Sequence, residues 1–242
     1  MRHILKYNIL YSLHLNKWKW GLFIILISIF MLPHSLVGES SLELLYNGFG
    51  GVFLENKSKI PYLYIFLQIY VLFIVGDFFN QDYSSTGVHL VIRQKNKRTW
   101  LKNKLIWLNI NLFGYYFLTM IILGFMGRFT FFYHDIDIEN GLCTFLSIFL
   151  LLILGSFTNS LIYLLFSLLL NSNYSIGILM LLHILSCFVP TTFLPGAHTM
   201  ILRLEPFSGV NWIEIVLFNL ILITLFLFLL FIIIKRKDEL LL

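Results

Sequence analysis

The sequence predicts an all-α integral membrane protein with six transmembrane helices and both termini in the cytoplasm. Three observations predict it. Of 242 residues, 59% are hydrophobic and 12% charged, with a mean hydropathy of +0.86, whereas a soluble domain is near half apolar and about a quarter charged. Most of the chain falls in continuous apolar runs close to the roughly 20 residues a helix needs to cross hydrocarbon. The basic residues gather between alternate runs. Backbone amides in lipid must be satisfied within their own segment, and these runs do not alternate polar with apolar, so helices are favoured over a barrel.

The expected spans lie near Trp20 to Val37, Ile60 to Asn80, Leu105 to Gly127, Leu142 to Leu170, Tyr174 to Pro190 and Trp212 to Ile234, in a single transmembrane domain. Span one follows a lengthy basic preamble and ends in no convincing small-residue cleavage site, so it is expected to stay in the mature chain rather than act as a signal peptide. The fourth run is about thirty residues, longer than a perpendicular span requires, and is expected to tilt, break or project from the membrane. Between spans five and six, Pro195, Gly196, Pro206 and Gly209 frame an apolar stretch from Met200 to Leu204. The string Lys237-Asp238-Glu239-Leu240 resembles a retention signal, but two leucines follow it and such signals are read only at the extreme C-terminus.

Charge sets the direction. With the N-terminus inside, the cytoplasmic segments hold Arg2, Lys6, Lys17 and Lys19, then Arg93, Lys95, Lys97, Arg98, Lys102 and Lys104, then Lys235, Arg236 and Lys237, which is 13 of the 17 basic residues. Most acids, including Glu39, Glu43, Glu55, Asp135, Asp137, Glu139 and Glu205, fall outside. The positive-inside rule then puts both termini in the cytoplasm. Trp18, Trp20, Trp100 and Trp107 mark the inner interface and Trp212 the outer one. Read this way, the net charge of +5 belongs to membrane topology, and no nucleic-acid partner is expected.

Polar residues inside the spans are few. Span four carries Gly155, Ser156, Thr158, Asn159 and Ser160; Ser156 and Ser160 share a helix face that lets a neighbour approach, and Asn159 can bond across it. Helix packing is the favoured reading of this set, with a substrate path as the alternative. His183 in span five is either a proton relay or a neutral packing residue, and Asp77 near the inner end of span two is a weaker candidate of the same kind. Cys143 and Cys187 form no metal or redox motif; two buried thiols are favoured over a disulfide.

No catalytic constellation stands out. A Walker phosphate loop and a paired His-Glu zinc motif are both absent, so neither catalytic nor metal-binding residues are expected, and ATP hydrolysis would have to come from another chain. The most informative segment is the cytoplasmic loop 81–104, where Val88, Leu90, Val91 and Ile92 form an apolar patch beside six basic residues. Anionic headgroups are one surface such a cluster fits, which makes membrane lipid an expected partner.

At this loop the sequence resembles the permease subunits of the type-two ABC exporters. The matching pattern is an acid leaving span two at Asp82, a turn at Thr86 and Gly87, the hydrophobic stretch from Leu90 to Ile92, Arg93, the basic pair Lys97 and Arg98, and Lys104 entering span three. The resemblance extends to the six spans, the cytoplasmic termini and the outer segment between spans five and six, where related permeases place short external or re-entrant helices. It departs at the N-terminus: a family interfacial helix should be amphipathic, yet apolar residues in Met1 to Lys17 spread around the wheel.

The resemblance implies that loop 81–104 is a coupling helix seated on a separate ABC ATPase subunit, two copies of which bind ATP and Mg. It implies a second permease subunit, identical or similar, no cofactor on this chain, and a bacterial plasma membrane. It further implies outward transport of an amphipathic peptide, antimicrobial or lipid-like cargo. The rival classes are a membrane-embedded enzyme, which would need converging acidic or His pairs, and a proton-coupled secondary carrier, which would use His183 and Asp77.

Overall fold

The protein, as a computed structural model, is described over residues 2–51, 61–83, 97–127, 138–170, 172–189, 194–203 and 211–239. All of its regular structure there is helical: α1 (Arg2–Val37), α2 (Ser41–Phe49), α3 (Tyr62–Tyr83), α4 (Lys97–Met126), α5 (Ile138–Leu169), α6 (Ser172–Phe188) and α7 (Trp212–Glu239), with two 3₁₀ turns, η1 (Pro195–Thr199) and η2 (Ile201–Arg203). Four helices are long and apolar enough to cross a membrane, over Asn16–Val37, Leu101–Met126, Phe145–Leu169 and Trp212–Ile234. Shorter apolar stretches run over Tyr62–Gly76 and Asn173–Phe188. The number of helices of full spanning length among the described residues is thus four, where the sequence pattern led to an expectation of six.

Contacts between helices define their relative directions. Phe30 meets Phe66 while Lys19 meets Phe73, so α1 and α3 are antiparallel. Trp20 lies against Tyr115 and Ser35 bonds to the Met126 carbonyl, so α1 and α4 run the same way. Gln68 pairs with Ser156 and Gly76 lies against Tyr163, making α3 and α5 parallel. The pairs Leu151 with Ile215 and Thr158 with Asn219 make α5 and α7 parallel as well. The tight connection after Leu170, with Asn159 bonded to His183, makes α5 and α6 an antiparallel hairpin. The six long or apolar helices therefore alternate in direction along the chain.

At the centre stands α5. Its 32 residues form one continuous helix, about 48 Å long at the usual rise, so the overlong fourth run does not break into two helices. Most of its apolar stretch is buried, against α7, α6, α4, α3 and η1. A helix that is apolar on all sides has no preferred face, and the stable place for it is the middle of a bundle. The apolar stretches of α1 and α7, by contrast, are largely exposed, with Leu22, Ile25, Ile29, Leu217, Ile221 and Phe228 facing outward. Among the described residues α1 runs unbroken from Arg2 into the first apolar stretch, so the segment before that stretch is continuous with it.

Two segments between the long helices fold back into the bundle. The first, α2, begins with a capping box in which Ser40 Oγ accepts from the Glu43 amide and the Glu43 carboxylate accepts from the Ser40 amide. Seven of its nine residues are buried. Ser41 packs against Gly127 at the end of α4, and Phe49 reaches Tyr116, eleven positions earlier on that helix, at 5.9 Å between ring centroids. The segment thus descends about 16 Å along α4, which hydropathy alone does not reveal because α2 is too short to register as a span. The second is η1–η2, whose residues Ala197, Thr199, Met200 and Ile201 are buried. The two inserts meet where the Met200 side chain lies over Gly51, which has φ +77° and leaves no room for a side chain.

Candidate functional site

The polar residues of the central turn of α5 point to four different neighbours. Ser156 Oγ donates to Gln68 Oε1 of α3 at 3.2 Å and is in close contact with the Tyr116 hydroxyl of α4, which itself lies 3.4 Å from the same Gln68 oxygen. Ser160 Oγ donates back to the Ser156 carbonyl at 2.8 Å, the usual way a serine inside a helix satisfies its hydroxyl. Thr158 Oγ1 lies 3.0 Å from Asn219 Oδ1 on α7, to which it donates. Asn159 faces α6.

The Leu179 carbonyl fixes the tautomer of His183. His183 Nδ1 lies 2.9 Å from the Leu179 carbonyl, which can only accept, so Nδ1 carries the proton. Nε2 is then the acceptor for the Asn159 amide at 3.3 Å. Both ring nitrogens of this fully buried histidine are engaged. Tyr64 of α3 stands beside it, with ring centroids 6.4 Å apart. Its hydroxyl donates to the Gly196 carbonyl at 2.5 Å and lies 2.6 Å from Thr199 Oγ1. Thr199 in turn sits directly over Gly155 of α5, so closely that a Cβ there would strike its methyl group. One layer of hydrogen bonds thus joins α3, α4, α5, α6, α7 and η1.

A second polar contact holds the far side of η2. Arg203 is buried, and its guanidinium donates to the Cys187 and Val189 carbonyls at 3.3 and 3.4 Å, at the C-terminal end of α6. A cation there meets carbonyls with no helical partner and the negative end of the helix dipole. Burial draws its pKa down from the ordinary arginine value, with the neighbouring Cys187 opposing that shift. Cys187 is a free thiol whose Sγ contacts the His183 carbonyl.

Of the residues assigned to ATPase coupling, Asp82, Lys97, Arg98 and Lys104 lie at the opposite end of the bundle. Thr86, Gly87 and Arg93 fall outside the described residues, as do the side chains of Asp77, Asp82, Lys97, Arg98 and Cys143. The backbone puts Asp82 in the last turn of α3 and Lys97 and Arg98 in the first turn of α4. Lys104 is turned inward. It is 1% exposed, and its ammonium lies 5.9 Å from the centroid of the Trp107 ring. Any part it plays in coupling therefore passes through the helices around it and not through a surface contact.

Sequence reasoning located Ser156, Asn159, Ser160 and His183 but left out their partners Gln68, Tyr116 and Asn219 and the second cluster of Tyr64 and Thr199. Gln68 was open to discovery as a lone amide within an apolar run. The tyrosines were not, since a tyrosine in a span reads equally as packing or as an interface anchor. Among the described residues, no group of three or more His, Cys, Asp or Glu side chains is placed to hold a metal. No family model matches the chain, and no curated protein or solved structure matches it either.

Proposed function

We propose that the chain is the membrane-spanning permease subunit of an ATP-driven exporter, crossing the bilayer six times with both termini in the cytoplasm. The observation that carries this reading is the alternation of direction of α1, α3, α4, α5, α6 and α7. It puts the start of α1, the α3–α4 connection, the α5–α6 turn and the end of α7 at one end of the bundle. The sequence segments that this reading assigns to the cytoplasm hold thirteen of the seventeen basic residues, as the positive-inside rule expects. The resemblance of segment 81–104 to an exporter coupling helix falls there too, within reach of a soluble ATPase.

In this reading two ATPase subunits supply the chemistry and this chain supplies pathway and coupling. Ser156, Asn159 and His183 hold the helices of one chain together, and Ser160 is satisfied within its own helix, so all four are bonded inside one bundle. The pathway then runs between two permease copies, along surfaces that are almost wholly apolar. Such a surface fits an amphipathic peptide, antimicrobial or lipid-like cargo better than an ion.

The test is copurification from detergent-solubilised membranes. A nucleotide-binding subunit should accompany the tagged chain, and its absence from the complex and from neighbouring genes would sink the reading. Charge reversal by Arg93→Glu with Arg98→Glu should preserve membrane insertion and abolish ATP-dependent export. Unchanged export in that variant would remove the coupling role of the loop.

A further inference from the structure

Polar groups at the start of the apolar stretch of α1 bind the backbone of α3. Asn16 is buried, and its amide donates to the Ile74 carbonyl of α3 at 3.0 Å. One turn on, Lys19 Nζ donates to the adjacent Phe73 carbonyl at 2.8 Å and lies 3.8 Å from the centroid of the Phe73 ring. The exchange is reciprocal, for the Tyr70 hydroxyl of α3 donates to the Lys19 carbonyl at 2.7 Å. A helical carbonyl has a second lone pair beyond the one used in the helix, so two neighbouring carbonyls of α3 can be held from outside without breaking the ladder. An ammonium that also covers an aromatic ring is held more tightly than one in water.

On its other side α3 is held by contact. A Cβ on Gly76 would lie 2.7 Å from Tyr163 Oη, so the backbone of α3 rests directly on α5 at that point. Between Tyr70 and Gly76 the helix is therefore gripped from both sides, by α1 through hydrogen bonds and by α5 through close packing. Beyond Gly76 it continues seven residues to Tyr83, about 10 Å, and leads into segment 81–104.

We propose that Asn16 and Lys19 are positioning residues, which clamp α3 at Phe73 and Ile74 and make the turn before Gly76 the fulcrum about which the end of α3 moves. The proposal rests on the export reading for its purpose: a push on segment 81–104 becomes a tilt of α3 against α1 and α5, and not a local bend of its last turns. A clamp placed farther along would leave no lever, and none at all would let the end of α3 yield without moving the rest.

The experiment uses the full-length chain in lipid nanodiscs and reads amide hydrogen exchange in α3. Lys19→Met keeps the hydrocarbon stem and removes the donor and the charge; Asn16→Leu removes the other donor; Lys19→Arg restores both donor and charge. In the double variant Asn16→Leu with Lys19→Met, exchange over residues 77–83 should rise at least tenfold while the 62–69 stretch stays as in the wild type, and Lys19→Arg should behave as the wild type. Unchanged exchange over 77–83, or equal acceleration throughout α3, would overturn the clamp. This arm needs no ATPase and decides the clamp even if no such subunit copurifies. In the complex with its ATPase subunit, the double variant should retain capture and the KM for ATP but lose at least fivefold in stimulated kcat. A normal kcat there would overturn the role of the clamp as a fulcrum.

Discussion

Thr199 of η1 and Gly155 of α5 meet with no space between them, the methyl group of one resting where the Cβ of the other would be. The contact lies in the middle third of the longest buried helix, so the connection between α6 and α7 reaches well into the bundle. Its depth makes the pair a sensitive reporter of how that insert is seated.

Gly155→Ala should destabilise the protein by about 1–3 kcal/mol, the usual cost of forcing a methyl group into a packed interior. Thr199→Ser, which removes the opposing methyl and keeps the hydroxyl, should recover most of that loss. Thermal unfolding in detergent of the two single variants and the double variant gives the coupling energy. Additive effects would show that the insert does not rest on Gly155.

Tyr64→Phe deletes one of the two donors to the Gly196 carbonyl, the other being Thr199 Oγ1 at 3.1 Å, and cuts the tie between α3 and η1. A loss of about 0.5–1.5 kcal/mol is expected, together with increased proteolysis between α6 and α7. A variant as stable as the wild type, with the same cleavage pattern, would mean that Tyr64 does not hold η1.

The pair Thr158 and Asn219 ties α5 to α7 within a region that is otherwise apolar. Asn219→Leu alone should cost about 0.5–1.5 kcal/mol, the range seen for hydrogen bonds between membrane helices. Combining it with Thr158→Val should cost no more than the single change, because without Asn219 the Thr158 hydroxyl bonds only the Leu154 carbonyl of its own helix and no longer ties α5 to α7. Comparison of unfolding midpoints for the three variants decides it.

Topology is open to chemical labelling. In a background with Cys143→Ser and Cys187→Ser, a cysteine at Ser85 should react with an impermeant maleimide only in inverted vesicles, and one at Ser58 only in intact cells. Labelling of both from the same side would exclude the alternating six-span arrangement.

Much of the architecture is legible in composition and run length, because hydrocarbon imposes its thickness on each helix and leaves little choice of secondary structure. The apolar runs that became α1, α4, α5 and α7 were visible in this way, as were Ser156, Asn159, Ser160 and His183, conspicuous as polar atoms in apolar surroundings. α2 was not. Nine residues that bury themselves against α4 look like any short amphipathic loop until α4 is in place beside them.

The sequence by itself determined that the chain is helical, that long stretches of it are apolar enough to cross a membrane, and which polar residues lie within them. Only the tertiary structure decided which of those residues meet. Hydrophobicity has no direction, so nothing in the runs themselves says that α5 stands at the centre or that Lys104 points inward. Hydrogen bonds and close contacts do have direction, and the pairs Ser156 with Gln68, Asn159 with His183 and Thr199 with Gly155 exist only once six helices and two inserts fix their relative positions.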